Sequence, residues 1–496
     1  MDRDLIQDPL SIFSFDGRLS VKKRIFRVTG FGALLLITLV VANGILTFKY
    51  RDGIYSMQKF YEQEEGTVDV LVLGPSLAYA DVNTAVLWNE YGISSFNLAG
   101  SIQPLWNTYY YLKEALKYQR PKVIVLEASL VTMVDDYPDN SRIIKNVCGM
   151  RWSRDKLEAI KVSAPKEKWG EYLLGYTQYH SRYDEITWED FVANKGSLQY
   201  DNWKGFMCTM GTMEQEAQDI TGVVKRAELS QKTEVYYRKV IELAGEEEIP
   251  LLIVISPYAS VSERAQSYFN RASDIAAEYG VPFVNYNLFY KELGIDYQED
   301  ASDVMHLNYK GNQKYTRHLG KYLSEHYNLP DHRGDEAYAS WEQNSRWHLA
   351  DIRNQDIINC WDMEQMYDLL KDDDLDLVFS IDGSNLEHDQ TLRTFLAAFH
   401  VPFDGTESIW KVSGTNVECV SIAHGQDQAK QIQYPYHTLT MRSTEQENSV
   451  YFDTTRYKEV DQGVNVLICS RITGEVVDSF GIVAYEGTIY REKKKG

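Results

Sequence analysis

A serine near the start of the chain and an aspartate–histidine pair far downstream have the residue types of a nucleophilic triad. Ser76 follows Gly74 and Pro75 at the end of an apolar run, VDVLVL, and precedes a helix-compatible run. A serine on such a strand-to-helix turn lies at the carboxyl edge of a sheet, beside helix amides that can stabilise an oxyanion. Gly-Pro-Ser is also an ordinary turn and helix cap, so both interpretations stay open for this turn alone.

Asp303 and His306 are three residues apart and lie just before a long helical pattern. An aspartate bound to one imidazole nitrogen fixes the tautomer and stabilises the imidazolium, while the other nitrogen can face a nucleophile. If the fold brings His306 to Ser76, the three residues form a triad in the chain order Ser…Asp…His. The alternative is a helix-capping aspartate beside an exposed histidine.

The residues between these two sites alternate between β and α patterns. Apolar runs predict strands at 68–73, 92–100, 122–128, 250–256 and 281–285, and helical spacing predicts helices at 105–118, 232–244, 263–279 and 309–325. This alternation predicts a parallel sheet with helices on both faces. In such folds the site lies at the carboxyl ends of the strands, which is where Ser76 is expected.

Residues 28–48 carry no charge and would span about 30 Å as a helix, which is the thickness of a bilayer core. Five cationic residues crowd the ten positions before this run: Arg18, Lys22, Lys23, Arg24 and Arg27. The positive-inside rule then places the N-terminus in the cytoplasm and everything after residue 50 outside. A cleaved signal peptide with a poor site near residues 40–42 is the alternative.

Composition excludes several other functional classes. The formal net charge of −21 argues against nucleic acid as a partner, because phosphate would be repelled. Five widely spaced cysteines form no Cys-x-x-Cys pair, so neither a disulfide framework nor a zinc site is expected. No cofactor or metal is predicted.

These patterns predict five consecutive parts of the chain. They are a cytoplasmic tail (1–27), a transmembrane anchor (28–48), a first α/β domain (67–326) with an insertion at about 131–225, a linker and helix (327–374), and a smaller α/β module (375–490).

Three segments of the first domain resemble the SGNH (GDSL-like) hydrolase superfamily. They are GPSLA after the first strand, NLAGSIQPLWNTYYYLKEAL after the second, and DVMHLNYKGNQKY at the end. The resemblance points to the membrane-anchored branch found with polysaccharide and teichoic-acid modification systems. It implies a flavodoxin-like, three-layer α/β/α fold, with Ser76 as the nucleophile, His306 as the base and Asp303 as its orienting partner.

The same resemblance implies an oxyanion hole built from the Ser76 amide, the Gly100 amide and an asparagine in a Gly-x-Asn-Asp block. That block is missing, since the third strand ends in LEAS, and Asn97 or Gln103 is the candidate replacement donor. Loss of one such donor costs roughly 10²–10³ in rate.

His180 and Arg182 resemble the YHSR segment of this branch, where a guanidinium could bind a phosphate or carboxylate of the substrate. The alternative for these two residues is a surface histidine and a salt-bridged arginine.

The C-terminal segment GVNVLICSRITGEVVDSFGI, with FDTTRY before it, resembles the domain of the interleukin-like epithelial–mesenchymal transition inducers. This resemblance covers about residues 375–482 and implies a binding module, with glycan as a candidate ligand.

Together these patterns predict a bacterial, single-pass membrane protein with an extracytoplasmic catalytic domain. This domain is expected to transfer or remove an O-acyl group on a cell-envelope polysaccharide, and the expected acyl group is acetyl. A membrane-bound O-acyltransferase is the expected partner. The alternative is a non-catalytic scaffold that binds glycan or that partner.

Overall fold

The computed structural model describes residues 21–46, 51–173, 183–184, 186, 191, 204–422, 428–434, 437–444 and 447–491. The N-terminal part contains helix α1 (Val21–Leu46), a π-helical turn (Arg51–Tyr55) and helix α2 (Ser56–Tyr61). Within α1, the segment Ile25–Leu46 is long and apolar enough to cross a membrane, and most of its apolar side chains are exposed. Residues 47 and 48, the end of the predicted anchor, lie outside the described part of the chain.

A five-stranded parallel sheet forms the centre of the first domain. Its strands are β1 (Val70–Gly74), β2 (Ser95–Ala99), β3 (Val123–Glu127), β4 (Leu251–Ile255) and β5 (Phe283–Asn285). The strand order is β2-β1-β3-β4-β5, and each neighbouring pair is parallel. This is the flavodoxin-like order of a doubly wound sheet, so the predicted parallel α/β fold is confirmed.

The helices of this domain connect and cover the strands. They are α3 (Ser76–Asp81), α4 (Thr84–Tyr91), α5 (Leu105–Ala115), α6 (Asn140–Val147), α7 (Arg154–Ser163), α8 (Trp169–Leu173), α9 (Gln231–Glu246), α10 (Glu263–Glu278) and α11 (Tyr309–His326). Helix α11 shows why they form. Asn308 caps its first turn, and Tyr315, Leu319 and Leu323 repeat every four residues on its buried face.

The side chains of β1 show that the sheet is covered on both faces. Leu71 and Leu73 pack into a core with α5, α9 and α10. Val70 and Val72 point the other way, into a second core with α4 and α11. Because successive strand residues face opposite sides, a strand that is apolar at every position must be buried on both. The domain is therefore a three-layer α/β/α sandwich.

The C-terminal part contains three helices and two antiparallel sheets. The helices are α12 (Ala339–Asn359), α13 (Met363–Leu370) and α14 (Gln390–Ala398). The strands are β6 (Leu375–Asp382), β7 (Ser408–Ser413), β8 (Asn416–Ile422), β9 (Gln428–Gln433), β10 (Thr438–Ser443), β11 (Asn448–Phe452), β12 (Thr455–Arg456), β13 (Gly463–Ser470), β14 (Val476–Val483) and β15 (Ile489–Tyr490). The strand orders are β15-β14-β13-β6-β7-β8 and β12-β11-β10-β9.

Strand β6 links the two cores of this smaller unit. Phe379 packs with helix α14 through Phe395, whereas Val378 packs against the second sheet through Leu439 and Met441. The predicted small α/β unit is thus confirmed. Its strands are antiparallel, a detail that the apolar pattern of a buried strand does not specify.

Helix α12 lies between the two units. It begins at Ala339, inside the segment 327–374 that the sequence analysis predicted to be a linker and helix. Trp341 is buried against the first domain, and its Nε1 donates a hydrogen bond to the Ser95 carbonyl at 3.0 Å. At the other end, Ile357 belongs to the core of the C-terminal unit. The helix therefore contacts both units with buried side chains.

Candidate active site

Ser76, His306 and Asp303 lie in one hydrogen-bonded line. The Nε2 atom of His306 is 2.8 Å from the Oγ atom of Ser76. Its Nδ1 atom is 2.9 Å from Oδ2 and 3.1 Å from Oδ1 of Asp303. The fold thus brings together three residues that are up to 230 positions apart in the chain. With Nδ1 protonated towards the carboxylate, Nε2 is left to accept the serine proton.

A glycine at the end of β1 fixes the position of Ser76. Gly74 has φ = +148°, and a Cβ atom there would lie 2.7 Å from the Glu127 carbonyl oxygen and 2.8 Å from its Cβ. Strands β1 and β3 therefore approach each other more closely than a side chain allows. Pro75 is extended and Ser76 is the first residue of α3, where it remains partly exposed. The serine consequently sits at the carboxyl edge of the sheet.

The loop that carries Asp303 and His306 is held in place by its own backbone. Asp303 Oδ1 accepts hydrogen bonds from the amides of Met305 at 2.7 Å and His306 at 2.9 Å. The Leu307 amide donates to Oδ1 of Asp81 at 3.0 Å, which ties the loop to α3. The same short helix therefore begins with the candidate nucleophile and ends with the anchor of the histidine loop.

The carboxylates around the triad differ in their electrostatics. Partial burial alone would raise the pKa of Asp303, but hydrogen bonds from His306 and Met305 outweigh it and lower the pKa. Burial raises the pKa of Asp81 well above its usual value, despite the hydrogen bond from Leu307. Asp303 is thus kept ionised, as a partner of an imidazolium must be, whereas Asp81 resists ionisation.

Two of the three candidate oxyanion donors, Gly100 and Asn97, donate hydrogen bonds within the fold. The Gly100 amide donates to the Gly74 carbonyl at 3.3 Å. Asn97 lies opposite Val72, below the edge of the sheet, and its Nδ2 donates to the Val82 carbonyl at 2.6 Å. The structure therefore does not bring the Asn97 amide to Ser76, because the amide is buried and committed to the carbonyl that follows α3.

Gln103 lies in the loop after β2, next to Gly100. Its Nε2 donates to Asn146 Oδ1 at 3.1 Å, and its Oε1 accepts from Thr108 at 3.1 Å. One Nε2 proton remains without a hydrogen bond among the described residues. His180 and Arg182, the other predicted substrate-binding residues, lie outside the described part of the chain.

Residues 206–215 run between α3 and the chain on either side of the Asp303–His306 loop. The amide of Met207 donates to the Tyr79 carbonyl at 2.8 Å, and the amide of Tyr309 donates to the Thr209 carbonyl at 2.9 Å. Met213 then donates to the Ala301 carbonyl at 2.9 Å. The segment thus connects α3 with the Asp303–His306 loop. Sequence inspection missed it because its contacts are made by the backbone, which leaves no signature in residue type.

Glu127, at the end of β3, is a buried carboxyl that the sequence gave no reason to single out. Its oxygens accept hydrogen bonds from the Ser129 hydroxyl at 2.8 Å and from the Ser256 amide at 3.2 Å. Burial raises the pKa of Glu127 to about 7, although these donors partly oppose the shift. A carboxyl that ionises near neutrality therefore lies directly below the nucleophile turn.

The Glu127 carboxyl should make stability depend on pH. Its pKa is about 7 in the folded chain against 4.5 for a glutamate in water, so folding favours the protonated form. The stabilisation by the protonated carboxyl is fully present below pH 4.5 and is lost as the pH rises through about 7. The free energy of unfolding should fall by about 3 kcal/mol over this range. We expect Glu127→Gln to remove this pH dependence, whatever its effect at one pH.

Urea unfolding of the full chain at about pH 5 and about pH 8 measures this difference. The same substitution at Glu325, an exposed residue paired with Lys321, should leave the pH dependence of the wild type. Equal pH dependence in the wild type and in Glu127→Gln would show that Glu127 does not titrate in this range.

No family model and no curated protein matches the chain. Among solved structures, it is similar to a Bacteroides fragilis protein provisionally designated an acylhydrolase, with a TM-score of 0.29 and 11% sequence identity. The match covers 56% of this chain and 99% of that protein. A likeness of this extent assigns no activity, substrate or residue role here. No group of three or more His, Cys, Asp or Glu side chains within the described ranges could hold a metal ion.

Proposed function

We propose that the protein is an extracytoplasmic O-acyl esterase or transferase that acts on a cell-envelope polysaccharide through Ser76, His306 and Asp303. The observation that carries this proposal is the continuous contact from Ser76 Oγ to His306 Nε2 to the Asp303 carboxylate, at 2.8 Å and 2.9 Å. Contacts this short suit proton transfer between a hydroxyl and an imidazole. The choice of an acetylated polysaccharide rests on the resemblance of the three motifs to the SGNH superfamily.

The reaction would proceed in two halves. Ser76 Oγ attacks the ester carbonyl carbon while its proton passes to His306 Nε2, and the tetrahedral intermediate then expels the sugar hydroxyl, which takes that proton. Water or an acceptor hydroxyl next attacks the acyl-serine, giving its proton to His306. The imidazole returns a proton to Ser76 Oγ as the acyl group leaves. Asp303 holds the ring and balances the charge of the imidazolium in both halves.

The oxyanion needs donors that form strong bonds only in the transition state. The Ser76 amide is in the first turn of α3, where amides have no acceptor within the helix. The Gly100 amide could join it by exchanging its 3.3 Å bond to Gly74 for a shorter bond to an oxyanion. The remaining Nε2 proton of Gln103 is a third candidate donor.

The acyl content of the polysaccharide in cells tests the function. In cells that carry Ser76→Ala at normal expression, we expect the content to change: it falls if the wild-type protein transfers acyl groups and rises if it removes them. Acyl content equal to that of the wild type would contradict the proposal. The genetic neighbourhood offers a further check, since transfer needs a membrane-bound O-acyltransferase as partner.

A non-catalytic scaffold is the second candidate function. It is favoured by the internal hydrogen bonds of Gly100 and Asn97, which use two of the three predicted donors. A scaffold would retain normal acyl content in Ser76→Ala cells and lose it when the C-terminal module is deleted.

We place the domain outside the cytoplasm because five cationic residues lie at positions 18–27, directly before the apolar run. A C-terminal tag should therefore be removed by protease added to intact cells, while the protein stays with the membranes. Protection of the tag in intact cells would reverse this orientation. Recovery of a soluble form lacking residues 1–42 would show a cleaved signal peptide instead of an anchor.

A further inference from the structure

The last residue of α3 is a buried aspartate that contacts the loop carrying Asp303 and His306. Asp81 is fully buried, and its Oδ1 atom accepts a hydrogen bond from the Leu307 amide at 3.0 Å. Leu307 directly follows His306, whose Nε2 atom is 2.8 Å from Ser76 Oγ. The distance between the hydroxyl and the imidazole therefore depends on a bond that a side chain outside the triad accepts.

The backbone of Asp81 attaches the next helix to the same point. The Thr316 hydroxyl of α11 donates to the Asp81 carbonyl at 3.0 Å and accepts a hydrogen bond from the Asn83 amide at 2.9 Å. Helix α11 begins three residues after His306, so the chain after the histidine is attached to the end of α3 twice. Loss of the Asp81 side chain would release the loop beside His306, while the backbone attachment of α11 would remain.

The surroundings of Asp81 favour a carboxyl group without charge. Its Oδ2 atom is buried and forms no hydrogen bond, and no described residue forms an ion pair with Asp81. A buried carboxylate needs a cation or several hydrogen bonds to offset the loss of water, whereas a protonated carboxyl group needs far less. One amide donor to Oδ1 suits the carbonyl oxygen of the protonated group. Burial accordingly raises the pKa of Asp81 well above its usual value.

The titratable groups that face Asp81 are carboxyl and phenol groups, which carry no positive charge. They are Glu127 on β3, Asp303 in the histidine loop, Tyr315 on α11, Tyr297 in the segment before that loop, and Tyr79 on α3. A negative charge on Asp81 would be repelled by the Asp303 carboxylate, which must stay ionised beside His306. A neutral Asp81 avoids this repulsion.

We propose that Asp81 is a positioning residue of the candidate triad and that it fulfils this role as a neutral carboxyl group. Its carbonyl oxygen holds the Leu307 amide, and this bond keeps His306 Nε2 within hydrogen-bonding distance of Ser76 Oγ. Asp81 acts on the rate through His306 and not by contact with the substrate. The inference rests on the proposed function of Ser76 and adds to it a residue outside the triad.

Two substitutions separate the hydrogen-bond acceptor from the charge. Asp81→Asn keeps a carbonyl oxygen in a side chain of the same size that cannot ionise, so kcat for p-nitrophenyl acetate should stay within about threefold of the wild type. Asp81→Leu has a similar volume but no acceptor. It should lower kcat by about 100-fold with little change in KM, because a shift of about 1 Å in a catalytic group costs this much. Steady-state kinetics of the full-length protein in detergent micelles measure both.

Asp335→Leu is the matched control for these variants. Asp335 Oδ1 also accepts a hydrogen bond from a backbone amide, that of Ala337 at 3.0 Å, but it lies in the exposed turn before α12. Its replacement should leave kcat at the wild-type value. Wild-type kcat in Asp81→Leu would overturn the positioning role. A loss in Asp81→Asn as large as that in Asp81→Leu would overturn the neutral form.

The pH profile tests the charge of Asp81 by a second route. An ionised Asp81 would stabilise the imidazolium of His306, so its replacement by asparagine would extend kcat/KM to lower pH. A neutral Asp81 predicts the same acid limb of the profile in the wild type and in Asp81→Asn. An acid limb displaced to lower pH in Asp81→Asn would overturn the neutral form.

Two spectroscopic measurements need no turnover and so separate this inference from the proposed catalysis. The infrared difference between the wild type and Asp81→Asn at neutral pH should contain the carbonyl stretch of a protonated carboxyl group, because the other carboxyl groups cancel. The downfield proton resonance of His306 Nδ1–H, bound to Asp303, should persist in Asp81→Asn and be shifted or lost in Asp81→Leu.

If both signatures appear but no ester is turned over, the catalytic proposal fails and the positioning by Asp81 stands. If esters are turned over through Ser76 but the difference spectrum shows a carboxylate band, the neutral form is overturned and the catalysis stands. An unchanged His306 resonance in Asp81→Leu would overturn the positioning role. The infrared and pH measurements use only the conservative asparagine variant, so misfolding of Asp81→Leu does not remove the test.

Discussion

Ser76→Ala should lower the turnover of an activated acetyl ester, such as p-nitrophenyl acetate, by about 10⁴-fold or more. The reason is that the hydroxyl of Ser76 is the nucleophile that His306 Nε2 contacts at 2.8 Å. Without this hydroxyl, the ester can react only by direct attack of water, which the oxyanion donors accelerate to a much smaller extent. Steady-state rates of the full-length chain in detergent micelles measure the loss.

Ser324→Ala is the matched control for this variant. The Ser324 hydroxyl is exposed on α11 and donates to the Lys321 carbonyl at 2.9 Å, remote from the triad. It should retain wild-type turnover. Retention of more than a small fraction of activity by Ser76→Ala, in protein that unfolds at the wild-type temperature, would mean that another residue attacks the ester.

Asp303→Asn should leave Ser76 in place yet slow turnover by about 10⁴-fold, because the imidazole loses both its counter-charge and its tautomer. Asp303 presently accepts hydrogen bonds from His306 Nδ1 and from two backbone amides. An asparagine can keep the backbone bonds through its carbonyl oxygen, but it carries no charge. Its NH2 group would then face Nδ1 as a second donor where an acceptor is needed. The loss should appear mainly in kcat, with substrate binding retained.

A second aspartate–histidine pair in the chain provides the control for this change. Asp453 Oδ2 is 2.7 Å from His437 Nδ1 in the C-terminal unit. The pair has the same chemistry without a serine contact described at the other ring nitrogen. Asp453→Asn should therefore leave ester turnover unchanged. Equal losses in the two variants would point to a general effect on folding, and an unchanged rate in Asp303→Asn would remove Asp303 from the mechanism.

The fold of the first domain was predictable because its central strands β1, β3 and β4 are apolar at almost every position. The runs at 68–73 and 250–256 coincide with β1 (Val70–Gly74) and β4 (Leu251–Ile255) to within a few residues. A strand that is apolar on both faces needs helices on both sides, and this requirement favours the parallel, doubly wound arrangement. The contact of Ser76 with His306 follows from the same topology, since Ser76 follows β1 and His306 lies in the loop region after β5, at the carboxyl edge of the sheet.

The donors around Ser76 were not predictable in this way. Residue type made Asn97 a candidate, but the structure commits its amide to the Val82 carbonyl. Which amide is free depends on how the chain packs after each strand, and residue type does not encode that.

In the C-terminal unit, too, the elements were predictable from the sequence and their pairing was not. The sequence indicated strands and a helix between residues 375 and 482, and the structure has them. Their antiparallel pairing in two sheets depends on hairpin turns and on which face of β6 meets which partner. The side-chain pattern of a single strand is compatible with either strand direction, so only the folded contacts decide between them.

The most direct test of the account is to map the acyl-enzyme. The full-length protein is mixed with an acetyl ester, quenched in acid during turnover, digested and analysed by mass spectrometry. The account predicts one acetyl group on the peptide that contains Ser76, at the hydroxyl of that residue, and none in the Ser76→Ala protein. Turnover of the ester with no acetyl on Ser76, or with the acetyl on another residue, would contradict the account.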